Sequence, residues 1–216
     1  VAKKIGILGG TFDPVHIGHL RSAIEVLEDC ELDEVRLIPG AVPPHRATPM
    51  VGAQQRLDMV RLAVEGVAGL SVDDRELRRE GPSWSIDTLV SLREELPSQA
   101  QLYFILGQDA FAGLPGWHRW QEVLLHCHLL VLQRPDMPAA LPDALQQLLQ
   151  QRQVAHHSGL QGPGGQIALL EQPPLPVSAT AIRGALAEQR NIRFLVPDAV
   201  RDYIQQHGLY GAIHSI

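Results

Sequence analysis

Short, almost wholly apolar runs alternate with stretches of helical period, and that alternation restricts what this chain can fold into more than any other feature. Ile5 to Leu8, Glu34 to Ile38, Leu70 to Val72, Leu102 to Leu106 and Leu129 to Leu132 read as buried strands. Their near-continuous apolar character suits parallel strands, which are covered on both faces. Between them, Leu20 to Leu27, Gln55 to Val64 and Ile86 to Leu96 carry helix spacing. In the second of these, Leu57, Val60, Leu62 and Val64 form the apolar set around exposed Arg and Asp side chains. The order βαβαβαβ predicts an α/β fold, a Rossmann-like doubly wound and mostly parallel sheet with helices on both faces.

After Pro176 the chain turns helical. "SATAIRGALAEQ" is followed by "PDAVRDYIQQHGLY", with Pro197 at an early helical position and Gly208 after the last turn. A single domain over 1–216 is expected, with this short helical C-terminal segment, about 178–216, as part of it. In doubly wound sheets ligands bind beyond the carboxyl ends of the strands. The residues that follow each strand therefore carry the functional expectations. Two loops are irregular: "GAVPPHRATPMVG" (40–52) ends a strand and is a candidate lid, and "HHSGLQGPGGQ" (156–166) reads as a surface turn before a short strand, Ile167 to Leu170.

A formal net charge of −6 over 216 residues argues against a broad nucleic-acid surface, since phosphate backbones are held by clustered Lys and Arg. Any polyanionic ligand must meet a local positive site. Two cysteines, Cys30 and Cys127, are too few for a disulfide framework and read as free buried thiols. No basic and apolar leader opens the sequence, and no apolar stretch approaches the roughly 20 residues that span a bilayer. A cytoplasmic protein with no nucleic-acid or membrane partner is expected.

The first strand runs into "GGTFDPVHIGHL", residues 9–20. Gly9 and Gly10 let the backbone approach a ligand closely. "HIGHLRSAIEVLED" then reads as a helix whose first turn carries His16 and His19, three residues apart and on one face. The unpaired N–H groups and positive dipole end of that turn favour an anion, so two imidazoles beside them form a polyphosphate cradle. A zinc site would need further ligands in a tetrahedral set. Cys127 and His128, as strand neighbours, point to opposite faces, and His126 and His128, on one face of that strand, read as structural. A Walker loop needs G-x-x-x-x-G-K-[ST] and a dinucleotide fingerprint needs G-x-G-x-x-G; the stretch offers neither.

With its His16-Ile17-Gly18-His19 signature the chain resembles the (H/T)-x-G-H nucleotidyltransferase superfamily. The longer "GGTFDPVHIGHL" is similar to the bacterial nicotinate mononucleotide adenylyltransferases within it. "PVSATAIRGAL" matches the second superfamily signature, Ser-x-Thr-x-x-Arg, through Ser178, Thr180 and Arg183, with Ala179 where Ser is frequent. Ser178 also suits a helix N-cap, and Arg183 can bring a fixed cation to phosphate oxygens. "PPHR" (43–46), "GPSWSIDTL" (81–89), "FILGQDAFAGLPGWHRWQEVL" (104–124) and "VPDAVRDYIQQHGLY" (196–210) extend the likeness over almost the whole chain.

The resemblance implies transfer of AMP from ATP to nicotinate mononucleotide, giving nicotinate adenine dinucleotide and pyrophosphate. It implies His16, His19 and Arg183 as the catalytic set. For ATP binding it implies Gly9, Gly10, Thr11, Phe12, His16, His19, His45, Arg46, Gly107, Ser178, Thr180 and Arg183. For nicotinate mononucleotide it implies Trp117 as the stacking partner of the ring, N–H groups near Ser85 and His118 for the carboxylate, and Asp109 for ribose hydroxyls. Gly81, Pro82 and Trp84 would shape that pocket. Mg²⁺ is expected to arrive with ATP, held mainly by phosphate oxygens and water. The alternative within this chemistry is a preference for nicotinamide mononucleotide, or another nucleotidyltransferase of the superfamily.

Overall fold

The apolar runs become the strands of one six-stranded parallel sheet in the order β3-β2-β1-β4-β5-β6. The strands are β1 Lys4–Gly10, β2 Glu34–Pro39, β3 Leu70–Val72, β4 Gln101–Gly107, β5 His128–Gln133 and β6 Ile167–Glu171. The computed structural model describes residues 2–42, 48–133, 141–172 and 175–212. The helices among them are α1 Ile17–Asp29, α2 Ala53–Val64, α3 Arg75–Arg78, α4 Ser85–Glu95, α5 Gln108–Ala112, α6 Val123–His126, α7 Asp143–Arg152, α8 Ala179–Ala187 and α9 Asp198–Gln206. His45 and Arg46 lie outside the described residues. The strand order is that of a doubly wound Rossmann-like sheet, reversing at β1 and β4. Among the described residues no helix is long and apolar enough to cross a membrane.

The chain divides into two compact units. The first comprises Val1–Leu8, Val26–Arg36 and Trp84–Pro174. Within it β1 pairs with β4 through Lys4 opposite Gln101, β4 with β5 through Tyr103 opposite His128, and β5 with β6 through Leu129 opposite Ile167. Leu102, Ile105, Leu129 and Leu130 from these strands, with Ile86, Leu89 and Leu92 from α4, are fully buried. Gly6 is required by packing, because a Cβ there would meet Leu32 and Val35 side-chain carbons at 2.9 Å. Cys30 and Cys127 are buried free thiols, as expected, and burial pushes both up to about 12, so neither is a nucleophile near neutral pH.

Three expectations for this unit need correction. His126 and His128 do not share a strand: His126 ends α6 and His128 opens β5. The Cys127 N–H donates to Val123 O, and the His126 carbonyl accepts from Arg93 Nε at 2.7 Å, so the backbone closes a helical turn before the strand begins. For the same reason Cys127 and His128 are not strand neighbours. The 156–166 segment is more than a surface turn. Leu160 is buried, Gly164 lies so close to the Cys127 backbone that a Cβ would sit 2.8 Å from it, and His128 Nε2 pairs with Gly162 O at 3.0 Å. With Nδ1 accepting from the Gln166 N–H, that buried imidazole ties the loop to β5.

The second unit comprises Gly9–Glu25, Leu37–Ser83 and Leu175–Ile216. Leu57, Met59 and Val60 of α2, Val200 and Ile204 of α9, and Ile182 of α8 are buried in it. Tyr203 Oη donates to Asp58 Oδ2 at 3.2 Å, joining α9 to α2. The expectation of exposed charges on α2 fails at Arg56, which is 1% exposed. Its guanidinium donates to the carbonyls of Thr11 at 2.6 Å, Gly40 at 2.7 Å, Ala41 at 3.1 Å and Val51 at 3.3 Å. Backbone acceptors at the ends of β1 and β2 have turned inward, and a five-donor fork satisfies them together.

Candidate functional site

In the second unit the residues after β1 assemble around two histidines. α1 starts at Ile17, so His16 is not in its first turn as expected but caps it. The His16 carbonyl accepts from the N–H groups of His19 and Leu20 at 3.0 and 3.3 Å. His19 Nδ1 in turn accepts from the His16 N–H at 3.3 Å. The bond from the His16 N–H to the His19 side chain is one half of a capping box, with an imidazole in place of the carboxylate; the His16 side chain does not return it. The bond leaves the proton of neutral His19 on Nε2, which is then a donor.

The two rings stack, with centroids 3.7 Å apart and planes 25° from parallel. His16 is buried, its Nδ1 has no hydrogen-bond partner among the described residues, and burial lowers its pKa to about 4. The pair thus enters neutral solution without a charge on His16. Two glycines make this packing possible, and neither does so by opening space for a ligand alone. A Cβ on Gly18 would meet His16 Nδ1 and Cε1 at 3.1 Å, and one on Gly10 would meet Phe12 Cζ at 2.9 Å. The Phe12 ring, buried and in a left-handed backbone conformation with φ 50°, stands edge-on to His19 at 5.0 Å. Thr11 lies in the same loop, its carbonyl on Arg56.

The second signature reaches the same loop. Ser178 is the N-cap of α8, its Oγ accepting from the Ala181 N–H at 3.2 Å. One turn on, Arg183 donates through Nη1 to the Asp13 carbonyl at 2.7 Å and through Nη2 to Thr180 Oγ1 at 3.3 Å. The Ile17 N–H donates to Leu195 O at 3.0 Å. Asp13, Arg56 and Tyr210 complete this cluster and were not singled out from the sequence. The buried Asp13 carboxylate accepts from Tyr210 Oη at 2.7 Å and from the Met50 N–H at 2.9 Å. Arg56 falls on the buried face of α2 with Met59, Val60 and Ala63, a spacing that hints at its burial but not at the carbonyls it serves.

The first unit carries the other set. Gly107 ends β4 and is the N-cap of α5; nothing among the described residues lies within 4 Å of a Cβ built on it. Asp109 is exposed in the first turn of α5. Ser85 opens α4, whose N-cap residue Trp84 makes no side-chain cap hydrogen bond among the described residues, and the helix end carries N–H groups and a positive dipole. Trp84 precedes it, and its ring lies 4.8 Å from that of His118, which brings His118 beside this helix end. Trp117 is half-buried, its ring edge-on to Phe104 at 6.1 Å. Arg119, with φ 52°, turns the chain after them and grips Glu122 with two bonds of 2.8 and 2.6 Å. Gly81 and Pro82 belong to the second unit; both are exposed, and Gly81 takes a φ of 89° that favours glycine.

The family model described as "Cytidylyltransferase-like" matches residues 7–185. A Pseudomonas fluorescens protein whose name reads "Probable nicotinate-nucleotide adenylyltransferase" is 61% identical over 212 residues, covering 98% of this chain and 99% of its own length. A Pseudomonas aeruginosa protein of the same name is 58% identical over 214 residues, covering 99% of this chain and the whole of its own. Among solved structures, the Plasmodium falciparum nicotinic acid mononucleotide adenylyltransferase complexed with NaAD aligns with a TM-score of 0.74 at 17% identity. That alignment covers 99% of this chain and 100% of the other. At that identity the likeness establishes the fold.

Proposed function

Because the chain belongs to the cytidylyltransferase-like family, and within it to the nicotinate-nucleotide adenylyltransferases, we propose that His16, His19 and Arg183 carry the adenylyl transfer such an enzyme performs. The chain is a nucleotidyltransferase of NAD biosynthesis that joins ATP and nicotinate mononucleotide into nicotinate adenine dinucleotide, releasing pyrophosphate. The observation that carries the assignment of residues is the stacked, reciprocally bonded pair His16 and His19 at the N-terminus of α1.

The acceptor phosphate of nicotinate mononucleotide is ionised near neutral pH and needs no side-chain base. The protein's task is to place it in line with the α-phosphorus of ATP and to stabilise charge growing on the leaving pyrophosphate. His19 serves through Nε2–H, the donor that its Nδ1 bond fixes. His16, whose Nδ1 is sealed from solvent, offers Nε2. At the start of α1 the Ile17 N–H is taken by Leu195 O and those of His19 and Leu20 by His16 O, so what this helix end adds is chiefly the positive end of its dipole. Arg183 supplies the permanent positive charge, and Ser178 and Thr180 hold its helix end. Gly9, Gly10, Thr11 and Phe12 form the loop on which the phosphates rest, and His45 and Arg46 are assigned to the triphosphate by resemblance alone.

Residues of the first unit take the acceptor. Trp117 stacks on the pyridine ring, and the N–H groups at Ser85 and near His118 hold its carboxylate. Asp109 binds ribose hydroxyls, and Gly107 leaves room for nucleotide beside the end of β4. Among the described residues no group of three or more His, Cys, Asp and Glu side chains is placed to hold a metal ion. Mg²⁺ therefore fits as part of the ATP complex, coordinated by phosphate oxygens and water.

A pocket of N–H donors should accept a carboxylate and reject an amide NH₂. Pyrophosphate release with Mg²⁺ and ATP, run in parallel with nicotinate mononucleotide, nicotinamide mononucleotide and phosphopantetheine, tests this. Strong turnover is expected with the first alone. Equal turnover of the two pyridine nucleotides would overturn the carboxylate pocket.

A further inference from the structure

Asp13 is where four stretches of the second unit meet. Its Oδ1 accepts from Tyr210 Oη at 2.7 Å, its Oδ2 from the Met50 N–H at 2.9 Å, and its main-chain carbonyl from Arg183 Nη1 at 2.7 Å. Both Asp13 and Tyr210 are 6% exposed. A carboxylate removed from water needs donors on both oxygens, and the phenol and the amide supply them. Burial and the neighbouring carboxylate hold the Tyr210 hydroxyl far above its ordinary value, so it remains a donor through the working pH range. Arg56 lies behind the same loop, on the carbonyls of Thr11, Gly40, Ala41 and Val51.

The backbone is committed at both ends of the pair. Phe12, next to Asp13, has φ 50°, and Tyr210 has φ 57°. Non-glycine residues keep such conformations where the surroundings over-determine them. Arg183, meanwhile, is held within its own helix by Thr180 Oγ1 and outside it by the Asp13 carbonyl. The direction of the guanidinium thus depends on where the 13–14 peptide lies.

We propose that Tyr210 and Asp13 are positioning residues for adenylyl transfer: the pair, 197 residues apart in sequence, fixes the carbonyl on which Arg183 is aimed. The inference rests on the assignment of Arg183 to the phosphates made above. The turn Leu209–Gly211, well away from either signature in sequence, thereby sets the alignment of a catalytic cation.

Tyr210→Phe removes the donor and keeps the ring. It is expected to lower kcat about 10-fold or more, the scale of a small misalignment, with KM for nicotinate mononucleotide unchanged and unfolding still cooperative. The decisive comparison is made in an Arg183→Ala background, where Tyr210→Phe should cost no further activity because the group it aims is gone. Fully additive losses would overturn the positioning role. Unchanged kcat in Tyr210→Phe, with activity lost in Arg183→Ala, would overturn it while leaving Arg183 in place. Near-normal activity in Arg183→Ala would instead remove the phosphate role of Arg183 itself. If Tyr210→Phe fails to fold, Asp13→Ala repeats the comparison, since it removes both oxygens that accept from Tyr210 Oη and the Met50 N–H and with them the hold on the 13–14 peptide.

Discussion

His19 Nδ1 accepts the backbone N–H of His16 at 3.3 Å while the two rings stack at 3.7 Å. One contact fixes the tautomer of His19 and the other fixes the ring plane of His16. Each histidine is thus oriented by its partner before any substrate arrives, which is the form electrostatic preorganisation takes in a short loop.

Burial holds His16 at about 4 against an ordinary 6.5. The folded value lies below the unfolded one, so the unfolded chain takes the proton first. His16 therefore costs no stability above pH 6.5, and stability falls as pH drops from 6.5 towards 4, by roughly 3 kcal/mol in all. Below that window both states are protonated and the loss levels off. Urea midpoints measured across it should fall less steeply for His16→Asn than for the parent protein, and parallel curves would contradict the shift.

Arg56→Met should destabilise the protein by roughly 3 kcal/mol or more, since it leaves several buried carbonyls without donors. Arg56→Lys should recover only part of this, because an ammonium cannot match the four-carbonyl fork seen here. Thermal unfolding of the two variants gives the ranking, and equal melting temperatures for parent and Met variant would contradict it.

Gly18→Ala places a Cβ 3.1 Å from His16 Nδ1 and Cε1, so the ring must shift by a few tenths of an ångström. Alanine suits a helix better than glycine, which offsets the crowding in stability. The expected signature is a kcat about 10-fold lower at a melting temperature within a few degrees of the parent. A variant with full activity would show that the ring position is not critical.

The sheet was legible because its strands are buried on both faces and leave uninterrupted apolar runs; each was found to within two residues at either end. α7 was not, since in "DALQQLLQQR" Leu145 alone is buried and glutamines hide the period. His126 was assigned to a strand because apolar neighbours on both sides masked the turn that Arg93 closes. The two signatures pointed to His16, His19, Ser178, Thr180 and Arg183, and the structure brings the histidine loop and Arg183 together through Asp13. Arg56 and Tyr210 escaped notice for a different reason. Their roles exist only in the tertiary fold, where carbonyls of two loops converge on one guanidinium and a residue near the chain's end meets one near its start.

The measurement that bears most directly on the cradle is kcat of His19→Ala with saturating ATP, Mg²⁺ and nicotinate mononucleotide, alongside its thermal unfolding. Loss of one preorganised donor to a developing phosphate charge should lower kcat about 10²-fold or more while cooperative unfolding is retained. A folded variant turning over at near the parent rate would contradict the assignment of this histidine pair to the phosphates.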